Sequence, residues 1–188
     1  MQAIYTRLVQ KLHDEGMDEP CVFGCGPENA RIVLVGEAPG KDEVKVGRPF
    51  VGKAGKNLDA FLEMTGICRD ELFITNVVKF RPYKVSAKGT VSNRPPTRKE
   101  IALCADCLRE ELAAIRPKVV VTLGGTALRA ILGEGQVIGS CHGRPVHLAD
   151  YSVFPLYHPA SVIYRRELTA VYEEDLRALG AWLKTVKM

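Results

Sequence analysis

The sequence predicts an α/β fold: a three-layer α/β/α sandwich with a central, mostly parallel four-stranded sheet. Four short apolar runs rich in β-branched residues alternate with longer segments of helical periodicity. This alternation is typical of a parallel sheet that carries helices on both faces. The 188 residues, of which 46% are hydrophobic, are sufficient for a single domain over residues 1–188.

In the first half of the chain, apolar residues spaced four apart predict an opening amphipathic helix, and two apolar runs predict strands. A loop with the sequence GEAPGKDEVKVGRPF follows the first strand and leads into another helix. The predicted elements are a helix from Ala3 to Glu15, a strand from Arg31 to Val35, a helix from Lys53 to Met64 and a strand from Leu72 to Val78.

The second half begins with a long loop over residues 83–96, after which Thr97 and Glu100 form the pattern of a helix capping box. Four consecutive β-branched residues make residues 118–123 the strongest strand signal. The predicted elements are a helix from Thr97 to Ile115, a strand from Lys118 to Leu123, a helix from Thr126 to Leu132, a strand from Val153 to Tyr157 and a helix from Leu168 to Lys187.

Composition excludes two classes of protein. No apolar run approaches the roughly 18 residues of a membrane-spanning helix, and the N-terminus alternates apolar and charged residues, unlike a signal peptide. Six cysteines without a secretory signal indicate free thiols or metal ligands rather than a disulfide framework. We therefore expect a cytoplasmic protein.

Polar and turn-forming residues follow the predicted strands. They are the GEAPG turn, Asn76, the pair Gly124-Gly125 and His158. Because the carboxyl ends of parallel strands meet at one edge of the sheet, where such folds bind ligands, we expect the functional site at that edge.

Positive charge is concentrated in one stretch. The net charge is only +4, but no acidic residue occurs between Glu71 and Glu100, where seven lysines and arginines lie. Such a stretch favours contact with phosphates, although a solvated loop that lacks carboxylates would have the same composition.

Three motifs in this order resemble the uracil-DNA glycosylase superfamily, and most closely its thermostable bacterial and archaeal branch, family 4. They are GEAPG with the following KDE and GRPFVGKAG, then ITNVVK, then HPA, at residues 36–55, 74–79 and 158–160. The resemblance covers nearly the whole chain from Val22 onward. It implies a monofunctional enzyme of base excision repair that acts as a monomer on DNA containing uracil.

The resemblance assigns base recognition to Phe50 and Asn76. Phe50 would stack on the flipped-out base, and the Asn76 amide would accept from uracil N3–H and donate to O4, a pattern that cytosine reverses. Glu37 and Ala38, in the GEAPG turn, would lie beside the base. For Glu37, a structural carboxylate that caps backbone N–H groups is the open alternative.

Cleavage leaves positive charge on the sugar and negative charge on the departing base, so an anion and a hydrogen-bond donor are needed. By resemblance, Glu43 positions the attacking water and stabilises the sugar, while His158 donates to uracil O2. Asp42 competes with Glu43 for this role, because the family usually has Glu-Asp where this sequence has Glu43-Val44.

Further residues are expected to hold the DNA. Residues 160–166 occupy the place where the family inserts a loop into the minor groove, with an apolar wedge and flanking cations; an ordinary helix start after Pro159 is the alternative. The predicted DNA-contacting residues are Pro39, Gly40, Lys79, Arg81, Ser161, Val162 or Ile163 as the wedge, Arg165 and Arg166.

The cysteines depart from family 4, whose members hold a four-iron, four-sulfur cluster on four cysteines. Phe80 occupies one ligand position and only Cys104 matches, since Cys21 and Cys25 lie too close to the first strand. We expect neither a cluster nor a catalytic metal; the alternative is a different site built from Cys21, Cys25, Cys104 and Cys107. The loop over residues 83–96 contains no histidine, so covalent attachment to the sugar is not expected.

Two rival interpretations remain. One is a catalytically silent protein of the same fold that binds damaged DNA or nucleotides. A flavodoxin-like or Rossmann domain is disfavoured, because the turn after the first strand is GEAPG rather than GxGxxG. The sequence leaves open the range of bases and the preference for single or double strands.

Overall fold

The structure, a computed structural model, describes residues 1–186; for residues 61, 163 and 164 it describes only the backbone. The strands are β1 (Ile32–Gly36), β2 (Leu72–Asn76), β3 (Tyr83–Val85), β4 (Val91–Asn93), β5 (Val119–Leu123), β6 (Val146–His147) and β7 (Ser152–Leu156). The helices are α1 (Gln2–Asp14), α2 (Lys41–Val46), α3 (Lys53–Thr65), α4 (Arg98–Ile115), α5 (Gly125–Leu132), α6 (Ile138–Cys141), α7 (Pro159–Tyr164) and α8 (Leu168–Leu183), with a 3-10 turn at Arg69–Glu71.

The main sheet has five strands in the order β2-β1-β5-β7-β6, of which the first four are parallel. The predicted α/β sandwich is therefore confirmed. The additional strand, β6, is a two-residue antiparallel edge strand. A strand this short is below the length at which side-chain alternation can be recognised in a sequence.

Every residue of β1, β2 and β5 is buried, because helices cover both faces of the sheet. One apolar cluster lies between the sheet and the helices α1 and α4, and a second lies between the sheet and the helices α3 and α8. These strands consequently have continuous apolar sequences rather than alternating ones.

Strand register brings the polar strand ends together. Gly36 pairs with Asn76 at the ends of β1 and β2, and Leu123 pairs with Leu156 at the ends of β5 and β7. The residues that follow each strand therefore reach the same edge of the sheet, as the sequence predicted.

Three segments differ from the sequence-based prediction. Residues 41–46, expected in a loop, form the helix α2, and residues 83–93, also expected in a loop, form the antiparallel hairpin β3–β4. The chain after Pro159 forms the short helix α7, as the alternative interpretation proposed. The predicted end of the last helix, Lys187, lies outside the described residues. Within the described part of the chain, no helix is long and apolar enough to cross a membrane.

Candidate active site

A cavity of about 300 Å³ opens at the carboxyl edge of the sheet. The residues predicted from sequence that line it come from the GEAPG loop, α2, the loop before α3, the end of β2 and the second residue after β7. They are Ala38, Gly40, Asp42, Glu43, Phe50, Asn76 and His158. Tertiary structure thus brings together groups that are up to 120 positions apart in the chain, from Ala38 to His158.

Gly36 provides the space that Phe50 and Asn76, the residues predicted to recognise the base, occupy. A Cβ at this position would lie 2.6 Å from Cζ of the Phe50 ring and would also collide with the amide oxygen of Asn76. Phe50 is 5% exposed, and its ring is stacked with the His158 imidazole at a centroid distance of 5.8 Å. The aromatic ring and the amide are therefore held side by side at the cavity wall.

The backbone at Phe50 is held in an unusual conformation. Its φ of 54° lies in the left-handed region, which costs free energy for a residue with a side chain. Arg69 donates from Nη2 to the carbonyl oxygens of Phe50 (2.8 Å) and Pro49 (3.2 Å), and it also pairs with Asp59. A Cβ at Gly55 would collide with the same Phe50 carbonyl. These contacts compensate for the backbone strain and fix the ring.

Asn76 is supported from below by a buried ion pair. The Lys79 Nζ donates to the Asn76 carbonyl oxygen, to Thr75 Oγ1 and to Glu111 Oε2, each at 2.6 Å. The side chains of Lys79 and Glu111 are both 0% exposed. The prediction that Lys79 contacts DNA is therefore wrong: its ammonium group lies in the protein interior and fixes the end of β2.

Glu43 is held by the backbone on two sides. Its Oε2 accepts from the N–H of Gly40, the N-cap of α2, at 3.1 Å, and its Oε1 accepts from the N–H of Gly52 at 2.9 Å. The residue is 9% exposed and lines the cavity. Asp42 lines the same cavity but is exposed. The carboxylate with the fixed orientation is thus that of Glu43.

His158 is oriented by the start of α7. Its Nδ1 accepts a hydrogen bond from the N–H of Ala160 at 3.1 Å, so the proton of the neutral ring is on Nε2. Burial lowers the pKa of His158 to about 4, and the negative charge of Glu43 offsets only part of that effect. At neutral pH the ring is therefore an uncharged Nε2–H donor.

Glu37 is tied to a neighbouring helix. Its Oε2 accepts from the hydroxyl of Thr126, in the first turn of α5. It lines a second cavity of about 410 Å³, which shares Ala38 and His158 with the first and also includes Pro39. Glu37 thus has a structural contact, although its donor is a side-chain hydroxyl and not the backbone N–H groups expected from the sequence.

The segment predicted to enter the minor groove lies beside the second cavity, which Ser161 lines. Val162 is half-buried, and its side chain packs against the apolar core of the protein. The side chain of Ile163, the other predicted wedge, lies outside the described residues. Arg165 and Arg166 are exposed, and Arg165 pairs with Glu167.

The cysteines do not fit the four-cysteine cluster of family 4. Phe80 is 1% exposed and fills the core at one ligand position, in the same apolar cluster as the buried Cys104. Burial raises the pKa of Cys21 to about 11 and that of Cys107 to about 12, which disfavours the thiolate that binds metal. Among residues 1–186, no group of three or more His, Cys, Asp or Glu side chains is placed to hold a metal ion.

The structure adds residues that the sequence did not indicate. Asn93, in the hairpin, lines both cavities, and Lys41 and Lys53 line the first at the N-terminal ends of α2 and α3. Both lysines follow glycines within the quoted motifs, which could have suggested them. Asn93 has no local signal, because only tertiary packing brings the hairpin to the cavity.

Comparison with known proteins gives a consistent result. The family model described as the uracil DNA glycosylase superfamily matches residues 23–180. A type-4 uracil-DNA glycosylase from Archaeoglobus fulgidus is 41% identical over 167 residues, which is 85% of this chain and 80% of that protein. Its counterpart from Thermotoga maritima is 39% identical, over 87% of this chain and 83% of that protein. The crystal structure of SMUG2 from Pedobacter heparinus has the same fold, with a TM-score of 0.58 over 95% of this chain and 83% of that chain, at 13% identity.

Proposed function

Because the chain belongs to the uracil-DNA glycosylase superfamily, we propose that it is a DNA glycosylase of base excision repair. It hydrolyses the N-glycosidic bond of uracil that has been flipped out of DNA and leaves an abasic site. The observation that carries this proposal is the convergence of Phe50, Asn76, Glu43 and His158 on one cavity.

Recognition of the base combines stacking on its face with hydrogen bonds to its edge. The flipped-out uracil stacks on the Phe50 ring, and the Asn76 amide accepts from N3–H and donates to O4. Ala38, and Glu37 through its place in the turn, form the adjoining wall. Because Lys79 fixes the Asn76 backbone and Gly36 admits its side chain, the amide is oriented before the base arrives.

Bond cleavage uses His158 on the side of the departing base and Glu43 on the side of the sugar. As the bond breaks, negative charge grows on the base, and the neutral His158 Nε2–H donates to O2, a contact that strengthens with that charge. The Glu43 carboxylate faces the positive sugar and orients the attacking water. The two backbone N–H groups that hold Glu43 keep it in place without neutralising it with a side-chain cation. Asp42 is the alternative group for the water.

The DNA strand is proposed to lie across both cavities. Pro39, Gly40 and Ser161 line them, and Arg81, Arg165 and Arg166 are proposed to contact the phosphates. Val162 or Ile163 is the proposed wedge, and Val162 also packs against the core. Action as a monomer and a cytoplasmic location are part of this proposal.

Release of free base from oligonucleotides tests the proposal. A labelled strand with a single uracil should break at that position only after alkali treatment. Breaks without alkali, or a borohydride-trapped adduct, would contradict a monofunctional hydrolase. Parallel oligonucleotides with hypoxanthine, xanthine or modified uracils, single- and double-stranded, determine the range of substrates. Binding without release of any base would favour the silent DNA-binding alternative.

We also propose that the enzyme needs no iron–sulfur cluster, since Phe80 fills a ligand position and Cys104 and Cys107 are buried in the core. Protein purified under anaerobic conditions should be colourless and free of iron. Brown protein with absorbance near 400 nm and stoichiometric iron would overturn this assignment.

A further inference from the structure

The hairpin β3–β4 forms an additional wall of the site. Asn93, its last residue, lines both cavities, and the Asn93 amide nitrogen lies 3.2 Å from the position that a Cβ on Gly40 would occupy. Pro82 and Arg94, at the base of the hairpin, line the second cavity. The last residue of the hairpin therefore lies beside Gly40, the last residue of the GEAPG turn, and close to the proposed binding site for the base.

One face of this hairpin is apolar and exposed. Tyr83 pairs with Asn93 and Val85 pairs with Val91, so these four side chains share a face, because opposed residues and alternate residues lie on the same side of a sheet. Tyr83 is 43% exposed, Val85 59% and Val91 49%. Since Asn93 reaches the cavities from this face, the apolar surface is continuous with the proposed DNA groove.

The positive charge of the hairpin is complementary to the negative charge of a DNA strand. The Arg81 guanidinium carbon lies 5.9 Å from the centroid of the Tyr83 ring, and its Nε donates to Asn93 at 2.7 Å. Lys84 and Lys88 add two exposed cations on the hairpin, and no acidic residue lies between Glu71 and Glu100. An aromatic ring flanked by cations is the arrangement with which proteins hold unpaired nucleotides.

The hairpin is anchored, so its aromatic face has a defined position. Arg94 donates from Nε to the Tyr83 carbonyl at 3.0 Å and forms two hydrogen bonds, of 2.7 and 2.6 Å, with the Glu100 carboxylate of α4. Its backbone N–H also donates to the Pro82 carbonyl at 3.1 Å. Arg94 is thus engaged in holding the hairpin to the core, while Arg81 lies against Tyr83 and Asn93.

We propose that the Tyr83 face of the hairpin is a stacking platform for a DNA base next to the extruded nucleotide, with Arg81 contacting the adjoining phosphate. This inference rests on the proposed function, since it places a neighbouring nucleotide of the same strand. Extrusion of a base breaks its stacking with its neighbours, and an aromatic platform replaces one of those contacts. The platform thereby favours unpaired or distorted strands.

Binding of single-stranded oligonucleotides tests the platform. The oligonucleotides carry 2′-fluoro-2′-deoxyuridine, which resists cleavage, and fluorescence anisotropy gives Kd. In matched oligonucleotides, the neighbouring bases on one side or the other are removed, leaving abasic sugars. The variants are Tyr83→Ala, the conservative Tyr83→Phe, and Leu148→Ala as a control of similar exposure (42%) in the turn between β6 and β7.

With intact oligonucleotides, Tyr83→Ala should weaken binding about 5- to 20-fold, in the range known for base–aromatic stacking, whereas Tyr83→Phe and Leu148→Ala should stay within about twofold of wild type. Removal of the base that stacks on Tyr83 should weaken wild type by a similar factor and leave Tyr83→Ala unchanged. In steady-state uracil release, the Tyr83→Ala effect should appear in KM rather than in kcat.

Two results would overturn the platform: Tyr83→Ala affinity equal to that of Leu148→Ala, or an equal loss with and without the flanking bases. Failure of the proposed function is a separate result, because it appears as wild-type protein that releases no uracil. In that case the flank-dependent binding of Tyr83→Ala still decides the role of the hairpin.

Discussion

Glu43 and Glu100 occupy the same place in the same local motif: each is the third residue of its helix, and each accepts a hydrogen bond from the N–H of its N-cap residue. They are also nearly equally buried, at 9% and 8% exposed. They differ in their second partner. Arg94 holds Glu100 through two charged hydrogen bonds, while the N–H of Gly52 holds Glu43.

The second partner decides what each carboxylate can do. The Arg94 guanidinium, with the Thr97 hydrogen bonds, lowers the pKa of Glu100 to about 2 and offsets its charge. Glu43 is oriented by uncharged donors at a cavity that it shares with His158, so its negative charge remains available to a ligand. The same capping motif therefore serves stability in one helix and, as proposed here, catalysis in the other.

The largest difference between the two carboxylates should appear in catalysis. Glu43→Gln removes the charge but keeps an acceptor oxygen, and it should slow uracil release by about 100-fold or more, in line with the loss of one transition-state contact. Glu100→Gln, the matched control, should stay within about threefold of wild type. Single-turnover release at saturating enzyme measures both. A large loss in Asp42→Asn together with an active Glu43→Gln would reverse the assignment.

A smaller effect on catalysis is expected at Asn76, the residue proposed to recognise the base. Asn76→Asp loses one well-placed polar contact to uracil, which costs about 1 to 3 kcal/mol, or roughly one to two orders of magnitude in release. It should also gain some cytosine release, because a protonated carboxyl can donate to cytosine N3. Glu43→Gln should instead slow every accepted base alike. Equal uracil release by Asn76→Asp and wild type would exclude the proposed reading role.

The role of Glu100 should appear in stability rather than in activity. Its folded-state pKa is lowered to about 2 from the ordinary value of 4.5, so its contribution is present above pH 4.5 and is lost as the pH falls towards 2. Glu100→Gln should lower the free energy of unfolding by about 1 to 3 kcal/mol at pH 7. Urea unfolding at pH 7 and pH 2 measures this. A deficit that is as large at pH 2 as at pH 7 would contradict the charge-based explanation.

The smallest expected change is in the protonation of His158, which should not titrate near neutral pH. His158 should stay neutral, with its proton on Nε2, from pH 8 down to about pH 5, because its pKa is lowered to about 4. His13 is the internal contrast, since its hydrogen bond to Asp18 raises its pKa above 6.5. NMR titration of the imidazole nitrogens distinguishes the two rings. A midpoint near 6.5 for His158 would mean that its donor is charged near neutral pH.

The sequence by itself determined the parallel sheet and the identity of the groups around the cavity. The runs that became β1, β2 and β5 are buried on both faces, so their composition alone indicated strands. The motifs after them indicated Phe50, Asn76 and His158 through their resemblance to the uracil-DNA glycosylase superfamily. The capping box at Thr97 and Glu100 could likewise be predicted from the sequence, because its two residues are only three positions apart.

Only the tertiary structure decided which charges are neutralised. Lys79 lies in a basic stretch and was expected to meet DNA, but Glu111, 32 residues further on in α4, pairs with it in the interior. Glu100 and Glu43 have similar local surroundings, and only the position of the hairpin brings Arg94 to one of them. Local sequence restricts backbone conformation over a few residues, whereas the partner of a charge depends on which elements pack together.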